Sequence, residues 1–475
     1  MFRRNFGSLF VAIASTSGFS QTLTATEADQ VASKALAAAK LVGASVAVMV
    51  DGKVILAKGY GTKRAGRNEP VLASTPFAVG SVTKQFTSAC ILKLADAGKL
   101  SVNDKLAIYF PQMTSADNVT LLDLMNHVAG YPDYYPLDFV DRRMMRPIKA
   151  LDLANRYGTL PLDFPPRTQW SYSNTDYILL GLVVEKVSGR SMNDFLMREI
   201  FVPLDMRDTF YSPKHPGSRF AEGTMSQYLG LDEPALREGS GWAGAAGDLY
   251  STASDLLKWD LALMDGKVMS PASYAIFTTA RKVSNGADTQ YAAGIQVLDL
   301  RGNVAYEHSG AVGGFAADNL YCPANRMAVA ILMNRDMGNV SLVMNALVQR
   351  VLPPAVKGAA KTPSQPLPSA QRTLTIVGDS DLVVAKRLFA QLQSGEVDRT
   401  ALGEEFSYFL SKGRLAEAAK SLGRFGKPES VTISPAGERG GMRVSVPIFH
   451  FPGNVIRMLL YRTPDGKVQE FLVLP

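Results

Sequence analysis

The stretch FAVGSVTKQFTSAC, residues 77–90, places Ser81 three residues before Lys84, where a strand-like apolar run gives way to a helical pattern. On a helix, side chains three apart share a face, so the Lys84 amine stands one turn beyond the Ser81 hydroxyl. That is where a base would need to be. A serine hydroxyl is a poor nucleophile until something takes its proton, and a lysine can take it only if burial or another cation depresses its pKa. A chain of this composition should contain on the order of one S-x-x-K by chance, so the motif alone reads as an ordinary helix surface. It needs partners elsewhere in the chain.

Working outward, WSYSNTDY (170–177) brings Tyr172, Ser173 and Asn174 just before a predicted helix, and YEHSGAVGGF (306–315) brings His308, Ser309 and Gly310 at the end of a predicted strand. Singly, each has a plain structural reading: Tyr172 a core tyrosine, Asn174 a helix cap, His308 a satisfied strand histidine. Jointly, S-x-x-K, then Y-x-N about 90 residues later, then H-x-G on a late strand resembles the ordered triple of penicillin-recognising serine hydrolases. With tyrosine in the second motif, the chain resembles the class C β-lactamase family, with its D,D-peptidase, D-aminopeptidase and esterase relatives. The resemblance covers roughly residues 27–350 and takes in LLDLMNHVAGYPDY (121–134) and GAAGDLYSTASDLLKW (244–259).

The resemblance implies that Ser81 attacks an acyl carbonyl and that Lys84 and Tyr172 share the proton work, with the identity of the base left open. It implies that Asn174 orients the substrate amide. It implies an oxyanion site on the backbone N–H groups of Ser81 and Ala311, with Ser309 and Gly310 on a strand edge kept open to substrate. His308 stands where typical class C enzymes carry lysine. A largely neutral imidazole there predicts weak β-lactam hydrolysis beside peptide or ester turnover, and a gain for β-lactams in His308→Lys. Asp248 follows Gly247 where a second glycine is frequent, and the sequence supplies no reason for it.

The chain has 475 residues, 47% of them hydrophobic, and a formal net charge of +7 without a Lys/Arg block, which leaves no nucleic-acid footprint. MFRRNFGSLFVAIASTSGFS (1–20) has the layout of a secretory signal peptide, with Arg3 and Arg4 before an apolar run too short to span a bilayer. The mature protein is expected to be exported, periplasmic or secreted, without stable membrane insertion. Cys90 and Cys322 lie in apolar segments and read as core thiols. His127, His215, His308 and His450 have no metal-ligand spacing, so neither metal nor other cofactor is expected.

The expected fold is α/β (α+β) and β-lactamase-like, in residues 21–352. An antiparallel sheet is drawn from both ends of that segment, around the Asp51-Gly52 hairpin and a late meander, with helices flanking it and a helical region inserted. Residues 353–370 hold Pro353, Pro354, Pro363, Pro366 and Pro368 and read as a linker. Residues 371–475 read as a small α+β domain whose order of elements weakly resembles nuclear-transport-factor-like or cystatin-like folds. It is expected to pack or gate as a separable accessory. The functional reading is an exported serine acyl hydrolase of D-amino-acid peptides, esters or β-lactams. An esterase of small esters is the alternative within enzymes, and a non-catalytic peptide- or penicillin-binding sensor the alternative outside them. The sequence leaves the oligomeric state open.

Overall fold

The computed structural model describes residues 23–39, 42–135, 140–213, 217–225, 227–230, 232–336, 338–352 and 374–474. The expected signal segment 1–20, the proline-rich linker 353–370 and His215 lie outside the described residues.

The expected hairpin forms β1 (Gly43–Val50) and β2 (Lys53–Gly61), joined at Asp51-Gly52. The late meander forms β3 (Gln296–Leu300), β4 (Asn303–Val312), β5 (Phe315–Cys322) and β6 (Met327–Met333). Together they make one antiparallel sheet in the order β2-β1-β6-β5-β4-β3, so the chain's two ends meet at the β1–β6 seam. The central strands β5 and β6 are buried throughout because both faces are covered. On one face lie α1 (Ala25–Ala38) and a late helix, Val340–Val351, whose Leu36, Val343 and Leu347 pack on Val46, Val329 and Ile331. On the other lie α2 (Thr83–Asp96) and Ala253–Met264, backed by α3 (Asn174–Ser188). α1 opens on a capping box of Thr24 and Glu27, and α3 ends at Gly189 with left-handed backbone, as its sequence requires.

Residues 291–295 do not extend β3 as the apolar run YAAGIQVLDL suggests. Gly294 takes a positive φ of 81° and the chain turns back on itself there, which carries Tyr291 toward β4.

The C-terminal unit has α4 (Asp381–Ser394), a short helix at Glu404–Phe409 that the sequence pattern does not announce, and α5 (Lys412–Gly423). These pack on a four-stranded antiparallel meander: β7 (Ser430–Arg439), β8 (Met442–Phe451), β9 (Asn454–Arg462) and β10 (Val468–Leu474). Its core of Leu388, Phe389, Phe406, Phe449 and Phe471 also takes in Val140 and Tyr228 from the first unit. The Tyr228 hydroxyl donates to the Phe471 carbonyl at 2.9 Å, and Ser421 donates to the Tyr228 carbonyl. Arg142 pairs with Glu405 at 2.8 Å and with Glu404 at 3.1 Å. A loosely tethered accessory would not share a core in this way, so the seam speaks against the expected separability.

Candidate active site

Ser81 sits in a tight turn, Gly80–Val82, that leads straight into α2. α2 is not a surface helix: every residue from Thr83 to Leu92 is buried, including Lys84 at 0% exposure. Its polar side chains are matched inside, with Trp259 donating to Gln85 at 2.9 Å and Thr87 donating to the Ala245 carbonyl at 2.7 Å.

Lys84 Nζ lies 3.0 Å from Ser81 Oγ, 2.7 Å from Asn174 Oδ1 and 2.8 Å from the Ala246 carbonyl. The Tyr172 hydroxyl faces Ser81, and its ring stands beside the Lys84 amine, 4.8 Å from ring centre to Nζ. Burial pushes the Lys84 pKa well below that of a free lysine. Arg439 pushes the same way, while Asp133 and Asp176 oppose. Burial raises the Tyr172 phenol above its usual value, partly offset by Ser81 and Arg439. Both groups therefore favour their neutral forms, an amine and a phenol.

Asn174 opens α3, and Asp133 caps that helix for it: Asp133 Oδ1 accepts from the Asn174 N–H and from Nδ2, each at 3.1 Å, and from the Tyr135 N–H at 3.2 Å. With Oδ1 facing Lys84 and Nδ2 facing Asp133, both ends of the Asn174 amide are engaged by the protein. The sequence reading gave that amide to substrate; the geometry uses it first to hold the lysine.

His308 is 4% exposed. Its Nδ1 lies 2.6 Å from the Ser309 carbonyl, and its Nε2 lies 2.9 Å from the Tyr291 hydroxyl. The carbonyl can only accept, so Nδ1 carries the proton and Nε2 accepts from Tyr291. Burial, with Lys84 nearby, lowers the imidazole to about 3. The ring is neutral, and in this arrangement both of its nitrogens are engaged by the protein.

β3 pairs with β4 only as far as Glu307, so the β4 edge from His308 to Val312 has no strand partner on that side. It lies against the Ser81 turn. A Cβ on Gly310 would stand 2.0 Å from the Val79 carbonyl and 2.9 Å from the Ser81 nitrogen, and one on Gly80 would stand 2.7 Å from the Ala311 nitrogen. Only glycine permits that approach, which brings the Ser81 and Ala311 backbone nitrogens to one end of the cleft.

The cleft has a volume of about 450 Å³ and is lined by Ser81, Tyr172, His308 and Gly310 on one side, and by Arg439 and Tyr461 on the other. Arg439, at the tip of the C-terminal unit, and Asp133 have no motif of their own. Asp133 does lie in the quoted GYPDY, where its nearness to a hydrophobic turn is the one available hint. Cys90 and Cys322 are buried free thiols.

A family model described as Beta-lactamase matches residues 28–352. The D-aminopeptidase of Gluconobacter oxydans (strain 621H) is 27% identical over 305 residues, 62% of this chain; the match spans 55% of that protein's own length. Among solved structures, the D-amino acid amidase from Ochrobactrum anthropi SV3 complexed with L-phenylalanine superimposes with a TM-score of 0.61 at 21% identity, covering 68% of this chain and 98% of that one. The octameric penicillin-binding protein homologue from Pyrococcus abyssi superimposes with a TM-score of 0.62 at 21% identity, covering 94% of this chain and 99% of that one. At these identities the structural likeness is one of fold.

Proposed function

The chain belongs to the beta-lactamase family of serine hydrolases, and we propose that it cleaves small amides of D-amino acids through an acyl-enzyme on Ser81. The observation that carries the reading is the hydrogen bonding of Lys84. Asn174 Oδ1 and the Ala246 carbonyl can only accept, so a neutral amine gives its two protons to them and points its lone pair at Ser81 Oγ, 3.0 Å away. Lys84 is then the base, and Tyr172, held as a phenol, is the proton donor.

As Oγ bonds to the carbonyl carbon, the Ser81 proton passes to Nζ and the carbonyl π electrons move onto oxygen, where the N–H groups of Ser81 and Ala311 receive them. When the tetrahedral species collapses, the C–N bond breaks and the leaving amine takes a proton from Tyr172, which is restored from Lys84. Water then repeats the sequence in reverse and releases the acid. A cleft of about 450 Å³ suits one residue and its leaving group better than an extended polymer. The similarity to a D-aminopeptidase supports the choice of D-amino acids. The N-terminal sequence supports export, and no described helix is long and apolar enough to cross a membrane.

The test is to incubate the protein with a fluorescent phosphonate and, separately, with D- and L-alanine p-nitroanilide and p-nitrophenyl acetate. Label on the Ser81 peptide and faster release from the D-amide are expected. Ester turnover without amide turnover would move the protein to the esterases, and stoichiometric labelling with no turnover would make it a sensor.

A further inference from the structure

The β7–β8 hairpin turns at Gly440-Gly441, both with positive φ, and this places Arg439 as the last strand residue before the turn. From there Arg439 crosses the seam between the two units. Its Nε and one terminal nitrogen each stand 2.8 Å from Asp133 Oδ2, its guanidinium lies 5.6 Å from the Tyr172 ring centre, and Tyr461 of β9 lines the cleft beside it. The Asp133 carboxylate is divided between two tasks. Oδ1 takes the Asn174 backbone and amide N–H groups, and Oδ2 takes Arg439.

We propose that Arg439 is a positioning residue of the acylation site, acting through Asp133 to hold Asn174 and, through Asn174, the amine of Lys84. The C-terminal unit thereby completes the site rather than decorating it. The inference rests on Ser81 being the acylated residue.

The physical reason lies in what Asp133 would do alone. Its side chain is 1% exposed, and a buried carboxylate without a partner is costly enough to reorganise its surroundings. The cation left within its field is Lys84, through the Asn174 bridge. Without Arg439, Asp133 draws a proton onto Lys84 and turns Asn174 toward itself. The lone pair that faces Ser81 is lost on both counts. A mere docking contact looks different: the Arg142 pair with Glu404 and Glu405 lies at the rim of the seam and reaches no group of the site.

The experiment compares full-length Arg439→Ala and Arg439→Lys with the wild type, following the second-order rate of Ser81 phosphonylation from pH 5 to 10. The groups that face Lys84 are Tyr172, Tyr177, Asp176, Asp133, His127, His308 and Arg439. Of these, Arg439 is the permanent cation, so removing it should raise the pH at which Lys84 becomes neutral. Arg439→Ala is expected to lower the rate by about 10²-fold, the scale of a catalytic group displaced by ~1 Å, and to shift the ascending limb to higher pH. Arg439→Lys should recover part of the rate and most of the limb. A wild-type rate and limb in Arg439→Ala would overturn the proposal, and so would a loss with the limb unmoved and no recovery by lysine. Should Arg439→Ala fail to fold, Arg439→Lys and Arg439→Gln decide it, since only the former keeps the charge and only it should hold the limb. A wild type that is not labelled on Ser81 would instead count against the acylation reading itself.

Discussion

His308 Nε2 and the Tyr291 hydroxyl lie 2.9 Å apart, and this pairing decides what the third motif contributes to the cleft. With Nδ1 committed to the Ser309 carbonyl, the ring is a neutral strut between β4 and the turn that carries Tyr291. The motif then serves to hold the strand edge, and the charge of the cleft is left to other residues.

For His308, burial above all lowers the imidazole to about 3, so its charged form is absent throughout the range in which enzymes of this kind are assayed. Activity on carboxylate-bearing and neutral substrates is expected to show the same pH dependence between pH 5 and 8. His308→Lys would place an ammonium in a 4% exposed site facing Lys84 and is expected to lower acylation for all substrates rather than favour cephalosporins. Side-by-side hydrolysis of a cephalosporin and a neutral ester by both proteins checks this; a selective gain in cephalosporin turnover would restore the simpler reading of a missing counter-charge.

Lys84 and Tyr172 are distinguished by the signs of their shifts. Lys84, lowered by burial, should give an ascending limb that reaches its plateau well below the free lysine value of 10.5, as the amine loses its proton. Tyr172, raised by burial, stays protonated across that limb. Tyr172→Phe is therefore expected to lower acylation by about 10²-fold or more while leaving the limb in place, whereas Lys84→Ala should remove both the rate and the limb. A limb that vanishes in Tyr172→Phe would assign the base to the phenol.

Gly310→Ala tests the strand edge. Its Cβ would meet the Val79 carbonyl at 2.0 Å, a distance no side-chain rotation can relieve because the partner is backbone. Either β4 or the Ser81 turn must retreat by about an ångström, which misplaces the oxyanion donors and is expected to cost on the order of 10²-fold in acylation. Retention of the wild-type rate would mean that the edge is looser than the close approach indicates.

The seam yields a further expectation. A chain ending at Leu352 would uncover Val140 and Tyr228, which sit in the C-terminal core, and would leave Asp133 without Arg439. Such a chain is expected to be poorly soluble, or soluble with acylation lowered to the level of Arg439→Ala. Expression, melting and labelling of the truncated chain check it, and a stable product with wild-type labelling would return the C-terminal unit to the status of a separable accessory.

What could be read from the sequence follows the range of the forces involved. Ser81 and Lys84 are neighbours on one turn, Tyr172 and Asn174 precede one helix, and the Asp51-Gly52 and late-meander turns are set by local backbone preference, so a local pattern suffices. Asp133 and Arg439 are separated by 306 residues and meet only because two units share a seam. Nothing in the run GERGGMR says where its hairpin points. The His308 position was legible and its surroundings were not, since Tyr291 reaches it from a turn that the apolar run before β3 disguises as strand.

Asp248, for which the sequence offers no role, is the C-cap of the short helix Gly244–Gly247, and there its charge works against the fold. Burial raises its pKa from 3.8 to about 6, with the Ser212 hydrogen bond and Arg237 opposing and Glu238 adding. The sign follows from proton counting. Between those two values the folded state holds the proton that the unfolded chain has released, so stability falls as the pH rises through that window. The cost levels off above it at no more than about 3 kcal/mol, which is the shift converted at 1.36 kcal/mol per unit. Asp248→Asn keeps the shape and removes the charge. It is expected to melt at a higher temperature than the wild type at pH 7.5 and at the same temperature at pH 4, where the wild-type carboxyl is protonated in the fold. Equal melting at both pH values would show that Asp248 meets water or a cation that the packed side chains do not supply, and its place beside Gly247 would then need a role in binding substrate.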